Sequence, residues 1–203
     1  MSLLDNPLKD WDRCKVTMKE VYQIRPPKEY LINPIAPIAS LISIVGNSDS
    51  LKSMFTMVMG AATLTGKDFL PPEPGSSAIG TTFKTTKANV MWIDQDNGKI
   101  RTENRWQASA KAYNVPEDAG LEIYSFPLPT LNLSKDSHAT DLMLRIADSN
   151  TKLVVIDNLV TISGGVDENS AEIMKVMMNL RYIVENAQCA LFVIHHLRKS
   201  NGI

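Results

Sequence analysis

The residues from Gly46 to Met54 have types and a spacing that could bind a phosphate group. Gly46 is followed by Lys52 and Ser53 at the separation found in phosphate-binding loops. In such a loop, successive backbone N–H groups and the N-terminus of the next helix face the anion, the lysine reaches the terminal phosphates, and the serine hydroxyl ligates Mg²⁺. The predicted binding residues are Gly46, Asn47, Ser48, Asp49, Ser50, Leu51, Lys52, Ser53 and Met54.

One position in this loop departs from the usual pattern. Leu51 stands where a glycine normally precedes the lysine, and glycine there permits unusual dihedral angles and a close approach of the backbone. A plain strand-to-helix turn with an N-cap at Ser48 or Ser50 would explain the same residues without any ligand. Taken alone, the loop leaves both interpretations open.

Three carboxylates follow apolar runs of the chain. Asp157 ends the run Leu153–Ile156, so we expect it at the C-terminal edge of a sheet, where open parallel sheets bind their ligands. A carboxylate beside the loop can hold Mg²⁺ and its water shell. Asp94 and Asp96 flank the end of another run and point to the same side, so one of them could orient or deprotonate a nucleophilic water. The alternative is that these are solvated acids at strand ends.

Two histidines, His195 and His196, end the last apolar run. Adjacent residues of a strand face opposite sides, which makes the pair a poor metal chelate. We expect one histidine to hydrogen-bond a terminal phosphate while the other packs or orients it, although a strand-end histidine with only a structural role remains the alternative for His195. Arg198 and Lys199 then begin a polar basic loop at the same edge.

Alternating strands and helices are needed to bring these residues together. Five apolar runs are nearly continuous, as expected for strands buried on both faces. They are Leu41–Val45, Asn89–Ile93, Leu121–Tyr124, Leu153–Ile156 and Ala190–Ile194. Helices are predicted at Lys52–Leu64, Arg101–Asn114, His138–Ser149 and Asn169–Asn186. This alternation predicts an α/β fold with a mostly parallel central sheet and helices on both faces.

Two regions fall outside this alternation. Residues 1–38 are predicted to form an N-terminal arm, with a short helix within Trp11–Ile24 and prolines that interrupt anything longer, and residues 39–203 to form the main domain. The apolar residues of the arm favour docking on the core or on a neighbouring molecule. Thr65–Lys87, rich in Gly, Pro, Ser and Thr, is so long a connection that we expect it to be mobile or functional.

Composition excludes several classes of protein. The 203 residues are 44% apolar and 21% charged, which argues against a disordered chain. A net charge of −1 argues against wholesale coating of nucleic acid by positive charge. No apolar run approaches the roughly 20 residues of a membrane-spanning helix, and two cysteines are too few for a disulfide framework or a zinc site. We therefore expect a cytoplasmic protein that does not associate with a membrane.

The order of these motifs resembles the RecA-like P-loop ATPase core, and most closely the RepA-type hexameric replicative helicases of plasmids and their phage relatives. The resemblance covers about residues 28–203. It rests on the phosphate loop (Walker A) and on three further segments. They are Leu153–Leu159 (Walker B), Asp167–Ala171 and Phe192–Lys199.

The resemblance implies ATP and Mg²⁺ as ligands, with a role for each matching residue. Lys52 would contact the phosphates, and Ser53 and Asp157 would lie at Mg²⁺. Asp96 stands where the family usually has a catalytic glutamate. Because Leu51 replaces the loop glycine and Asp96 is one methylene shorter than glutamate, hydrolysis is expected to be slow or absent if the surrounding site has not adapted.

Two more residues acquire roles in the same way. His196 falls where RecA-like proteins have a polar residue that senses the γ-phosphate and leads into a DNA-contacting loop. Arg105 matches an arginine near the adenine, with a salt bridge on a helix surface as its alternative. The resemblance also implies single-stranded DNA as a partner and a homo-oligomeric ring. The later strands and the arginine finger of the family have no counterpart here, so the core is expected to be truncated at its C-terminal end.

These observations predict an ATP-binding ATPase in a DNA-handling motor, such as a replicative helicase of a plasmid or phage. Catalytic residues would be Lys52, Asp96, Asp157 and His196. Two alternatives remain open at this point: a nucleotide-binding regulatory module with little or no hydrolysis, and a P-loop kinase that uses Thr65–Lys87 as a lid.

Overall fold

A five-stranded sheet organises the computed structural model, which describes residues 15–47, 50–71, 82–165 and 173–196. The strands alternate with helices along the chain, because each apolar run is followed by an amphipathic segment that covers it. The strands are β1 (Tyr30–Ile32), β2 (Ala36–Pro37), β3 (Ser40–Gly46), β4 (Asn89–Asp94), β5 (Leu121–Ser125), β6 (Thr151–Asp157) and β7 (Ala190–His196). The helices are α1 (Met18–Val21), α2 (Lys52–Thr65), α3 (Lys99–Tyr113), α4 (Asp136–Asp148), α5 (Leu159–Ile162) and α6 (Ile173–Ala187).

The sheet is parallel throughout and has the strand order β3-β7-β6-β4-β5. Its register aligns Gly46 with His196, and Asp157 with both Asp94 and Ile194. The loop-bearing strand and the Asp157 strand are therefore separated only by the strand that ends at His196. The C-terminal ends of all five strands meet at one edge, which confirms the predicted parallel sheet.

Helices cover both faces of this sheet, as predicted. Alternate residues of β4 enter opposite cores: Val90 and Trp92 pack on one face, and Met91 and Ile93 on the other. The first core is covered by α2 and α3, and the second by α4, α5 and α6. Because both faces are buried, the strands are apolar at almost every position, which is why their sequences do not alternate.

The predicted bounds of the elements agree with the structure to within a few residues. The largest differences at described helix ends are two residues: α3 begins at Lys99 and not at Arg101, and α4 begins at Asp136 and not at His138. Gly98 is the N-cap of α3, and the preceding turn is held by Asp94, a tertiary arrangement that periodicity does not reveal. The start of the predicted Asn169–Asn186 helix lies outside the described residues, and α6 is described from Ile173 onward.

The N-terminal region contributes to the same core as the sheet. Leu31, Ile32 and Ala36, from the small antiparallel pair β1–β2, are fully buried in it, and Ile32 also bridges to Thr85. The predicted helix within Trp11–Ile24 is a single turn, α1, as far as the described residues extend. The division of the chain at residue 38 stays a prediction.

The long connection after α2 is described at its two ends. Phe69 and Phe83 form an isolated antiparallel bridge with their rings in contact, and residues 72–81 between them lie outside the described part. Among the helices that are described, none is long and apolar enough to span a membrane.

Candidate active site

The predicted phosphate loop connects β3 to α2 at the C-terminal edge of the sheet. The Lys52 ammonium turns back into this loop, donating to the carbonyl oxygens of Gly46 at 2.9 Å and Asn47 at 2.6 Å and to Ser50 Oγ at 3.3 Å. A Cβ atom on Gly46 would lie 3.0 Å from Ser50 Oγ, so a side chain there would press on the Ser50 hydroxyl. Two predicted binding residues, Ser48 and Asp49, lie outside the described residues.

Leu51 adopts the left-handed conformation that the missing glycine would allow. Its φ is 60° and its ψ is 17°, and 71% of the residue is exposed. Such a backbone costs a non-glycine residue about 1–2 kcal/mol. Leu51 thus takes a glycine-like conformation and stores local strain in doing so.

Asp157 and Ser53 meet directly in the structure. The Ser53 hydroxyl donates to Asp157 Oδ2 at 2.6 Å, across 104 residues of sequence. Asp157 is fully buried, and within the described part of the chain its Oδ1 has no hydrogen-bond partner. Burial raises the pKa of Asp157, an effect that the Ser53 hydrogen bond opposes and that the nearby charges of Asp94 and Asp96 reinforce. A buried carboxylate with one oxygen unpaired among the described residues is suited to bind a cation.

The two acids at the end of β4 differ in burial: Asp94 is buried and Asp96 is exposed. Asp94 is completely buried and accepts from the backbone N–H groups of Asp96 (2.9 Å) and Asn97 (2.7 Å), and its other oxygen accepts from the Thr102 hydroxyl. Its hydrogen-bonding capacity is used to fix the turn that precedes α3. Asp96 projects from that turn with 42% of its side chain exposed, so of the two predicted candidates it is the one available to a reacting water.

Asn97 is a residue that the sequence reasoning missed. Its Nδ2 donates to Asp157 Oδ2 at 3.4 Å, and its Oδ1 accepts from Arg105 at 3.4 Å. The amide therefore links the Asp157 carboxylate to the Arg105 guanidinium. A polar residue directly after two strand-end acids was the available signal, but only the turn held by Asp94 aims it at Asp157.

His196 lies on the cleft side of the strand end. Its Nε2 is 3.6 Å from Asp96 Oδ2, which is an ion-pair distance and too long for a hydrogen bond. Neither ring nitrogen makes a hydrogen bond to any residue that the structure describes. His195 precedes it, paired with Val45 in the sheet, and does not line the cleft. The basic residues that follow, Arg198 and Lys199, are outside the described residues.

Several of these residues line one cleft of about 390 Å³ at the edge of the sheet, and Asp157 is connected to it through the lining residues Ser53 and Asn97. Lys52, Asp96, Arg105 and His196 all contribute to its wall, although they come from four separate elements of the chain. Arg101, which the sequence reasoning did not select, lines it as well. The complete lining is Ser50, Leu51, Lys52, Ser53, Met54, Asp96, Asn97, Arg101, Arg105 and His196.

A comparison with known protein families agrees with a nucleotide site in this cleft. The family model described as AAA domain matches residues 8–202. This chain belongs to the AAA domain family. Its fold is accordingly that of a RecA-like P-loop ATPase core, and it is a nucleotide-binding protein of that class. A search of curated proteins finds no match to the chain.

An AAA domain usually binds its nucleotide with Mg²⁺, and the residues present fit that ion. Mg²⁺ requires oxygen ligands and keeps several of its waters. The Ser53 hydroxyl and the Asp157 carboxylate supply oxygens at the mouth of the phosphate loop, and Asp157 Oδ1 is buried without a partner among the described groups. The donor set is therefore suited to the metal.

Proposed function

We propose that this AAA domain binds ATP with Mg²⁺ and hydrolyses it as part of a DNA-handling motor, such as a replicative helicase of a plasmid or phage. The observation that carries the ATP-binding part is the contact between Ser53 and Asp157 beside Lys52, which joins the two halves of a nucleotide site across the sheet. A simple capped turn would give Ser53 no reason to bond a buried carboxylate on a distant strand.

Binding is assigned to the loop and to the residues around it. Lys52 lies 7% exposed at the loop and supplies the positive charge for the β- and γ-phosphates. Ser53 and Asp157 hold Mg²⁺, which when bound neutralises charge that develops on the phosphates. Arg105 lines the same cleft and is assigned to the base of the nucleotide.

Hydrolysis is assigned to the exposed acid of the cleft. Asp96 is free of the hydrogen bonds that occupy Asp94, so its carboxylate can orient a water and accept its proton. His196, 3.6 Å from Asp96 at the end of β7, is placed to respond to the terminal phosphate. In the sequence, the basic residues Arg198 and Lys199 follow His196 closely, so we assign His196 to passing the state of the nucleotide to a segment whose charge suits a DNA backbone.

Support for the motor assignment comes from the resemblance of Leu153–Leu159 and Phe192–Lys199 to RepA-type helicases. In that proposal the chain acts in a homo-oligomeric ring on single-stranded DNA. The role of His196 separates a motor from a plain ATPase, because only a motor needs the state of the nucleotide to reach the DNA.

A second candidate is a module that binds nucleotide without hydrolysing it. The strained Leu51 and the short Asp96 side chain favour it, since either would slow the chemical step while leaving Lys52 and Ser53 in place. Turnover distinguishes the two candidates: the motor hydrolyses ATP faster when single-stranded DNA is present, and the module shows neither hydrolysis nor stimulation.

The test is to titrate the chain with Mg-ATP by calorimetry and then to measure turnover with and without single-stranded DNA. Lys52→Ala should lower ATP affinity about ten- to a hundredfold, since it removes a charge-assisted contact of about 1.5–3 kcal/mol. Lys152→Ala is the matched control, because it removes an exposed lysine from the opposite end of β6 and should change nothing. Equal ATP affinity in Lys52→Ala and the parent would refute the nucleotide site.

A further inference from the structure

A cluster of two carboxylates and one imidazole lies beside the nucleotide site. One oxygen of Asp96, one oxygen of Asp157 and one ring nitrogen of His196 all lie within 4.8 Å of one another. Asp157 and His196 end the adjacent strands β6 and β7, and Asp96 lies in the turn after β4 that Asp94 holds. The register of the sheet and this turn therefore bring the three backbones together, and the exposed Asp96 side chain can adjust its rotamer.

Two independent observations indicate that this cluster is made for a ligand. The Asp157 carboxylate is fully buried, and its Oδ1 has no partner among the described residues. Both nitrogens of His196 are also buried atoms without a hydrogen bond inside the described ranges, although the whole side chain is 28% exposed. Buried polar atoms are normally satisfied, so three unsatisfied atoms at one place require an explanation.

We propose that Asp96, Asp157 and His196 form a divalent metal site that prefers a first-row transition ion to Mg²⁺ and fills without nucleotide. This site differs from the Ser53–Asp157 magnesium position in its ligands. It includes a nitrogen ligand from His196, and it requires no oxygen ligand from the phosphates of a nucleotide. Imidazole together with carboxylate suits ions such as Zn²⁺ and Co²⁺, whereas Mg²⁺ is bound by oxygens alone.

The separation of Asp96 and His196 is close to what such an ion requires. Ligands about 2.1 Å from one metal lie about 3–3.4 Å from each other. Asp96 Oδ2 and His196 Nε2 are 3.6 Å apart, so a small rotation of the exposed Asp96 side chain brings them into range. Ser53 and Asn97 both donate to Asp157 Oδ2, which holds the carboxylate in one orientation, as outer hydrogen bonds do around metal ligands.

The experiment titrates the untagged, nucleotide-free, Mg²⁺-free chain with Co²⁺ and follows visible absorption, which changes when the ion leaves its water shell for a protein site. We expect one Co²⁺ per chain, which a tenfold excess of Mg²⁺ leaves in place. His196→Ala and His196→Gln should each weaken Co²⁺ binding at least tenfold, and Asp96→Asn should do the same. The glutamine variant preserves most of the side-chain volume, and melting temperatures show that the fold survives.

His138→Ala is the control, because it removes an imidazole that lies away from the cluster and should leave Co²⁺ affinity unchanged. Three results would overturn the proposal: no Co²⁺ bound at millimolar concentration, equal affinity in folded His196 variants, or displacement by equimolar Mg²⁺. The ATP titration with Lys52→Ala is a separate measurement without Co²⁺, so the metal site and the nucleotide site can fail independently.

Discussion

Two cavities of nearly equal volume lie on this molecule, and they differ in the state of their polar groups. The cleft at the phosphate loop has about 390 Å³, and a groove beside β5 and α4 has about 380 Å³. We call the second the β5 groove. Ile93, Leu131 and Leu142 line it, together with a Tyr124–Arg145 pair.

The Tyr124 and Arg145 side chains of the β5 groove are hydrogen-bonded to each other. Tyr124 donates its hydroxyl proton to Glu122 at 2.6 Å, and Arg145 donates to the same hydroxyl oxygen at 3.4 Å while stacking over the ring. At the cleft, by contrast, Asp157 Oδ1 and both ring nitrogens of His196 are buried without a partner among the described residues. Volume does not distinguish the two cavities, but unsatisfied polar atoms at converging strand ends do.

The largest effect is expected for the exposed acid of the cleft. Asp96→Asn should lower ATP turnover about a hundredfold or more, because an amide cannot accept the proton of a reacting water. Asp141→Asn makes the same change in the β5 groove and should leave turnover unchanged. Steady-state turnover of both variants checks this, and equal activities would remove Asp96 from the mechanism.

A large effect on stability is expected for the buried anchor. Asp94→Ala leaves the N–H groups of Asp96 and Asn97 and the hydroxyl of Thr102 without their acceptor. The free energy of unfolding in urea should fall by about 3 kcal/mol or more. Asp141→Ala, at the groove, should change it by about 0.5 kcal/mol at most. If both variants unfold at the same urea concentration, Asp94 does not hold the turn.

A pH-dependent effect is expected for Asp157. Its raised pKa means that the folded chain disfavours the charged form, so its contribution to stability falls as pH rises from the ordinary value of 3.8 through the raised folded value. Asp157→Asn lacks this titration. The variant should therefore gain stability relative to the parent as pH increases across that window, while losing affinity for Mg-ATP. Urea unfolding at a series of pH values tests this, and a constant difference between the two proteins would contradict it.

The smallest effect is expected at the strained loop residue. Leu51→Gly should raise the free energy of unfolding by up to about 1 kcal/mol, because glycine adopts a φ of 60° without steric penalty. It should also strengthen ATP binding by making the loop easier to form. Phe126, the residue directly after β5, also has a positive φ, of 48°. Phe126→Gly is therefore the matched change and should leave ATP affinity as it is. Weaker ATP binding in Leu51→Gly would mean that the leucine has become part of the site.

The sequence by itself predicted the five strands of the main sheet, its four longest helices and the class of the sheet, but not the short elements β1, β2 and α5. Continuous apolar runs such as Leu153–Ile156 can be buried only between two layers of helices, which is a property of local composition. It also pointed to Lys52, Ser53, Asp96, Asp157 and His196, because the ends of parallel strands share one edge. The ends of the strands, and the residues that lie at those ends, can therefore be predicted from the sequence.

Only the tertiary structure decided how these residues divide their roles. Asp94 and Asp96 are equivalent in the sequence, yet one is enclosed by Asn97 and Thr102 and the other faces the cleft. That difference depends on the β4–α3 turn and on its packing against β6, which involve atoms far apart along the chain. Hydrogen bonds between distant residues follow from three-dimensional register, so local pattern could place the acids at the edge but could not decide which of them reaches the ligand.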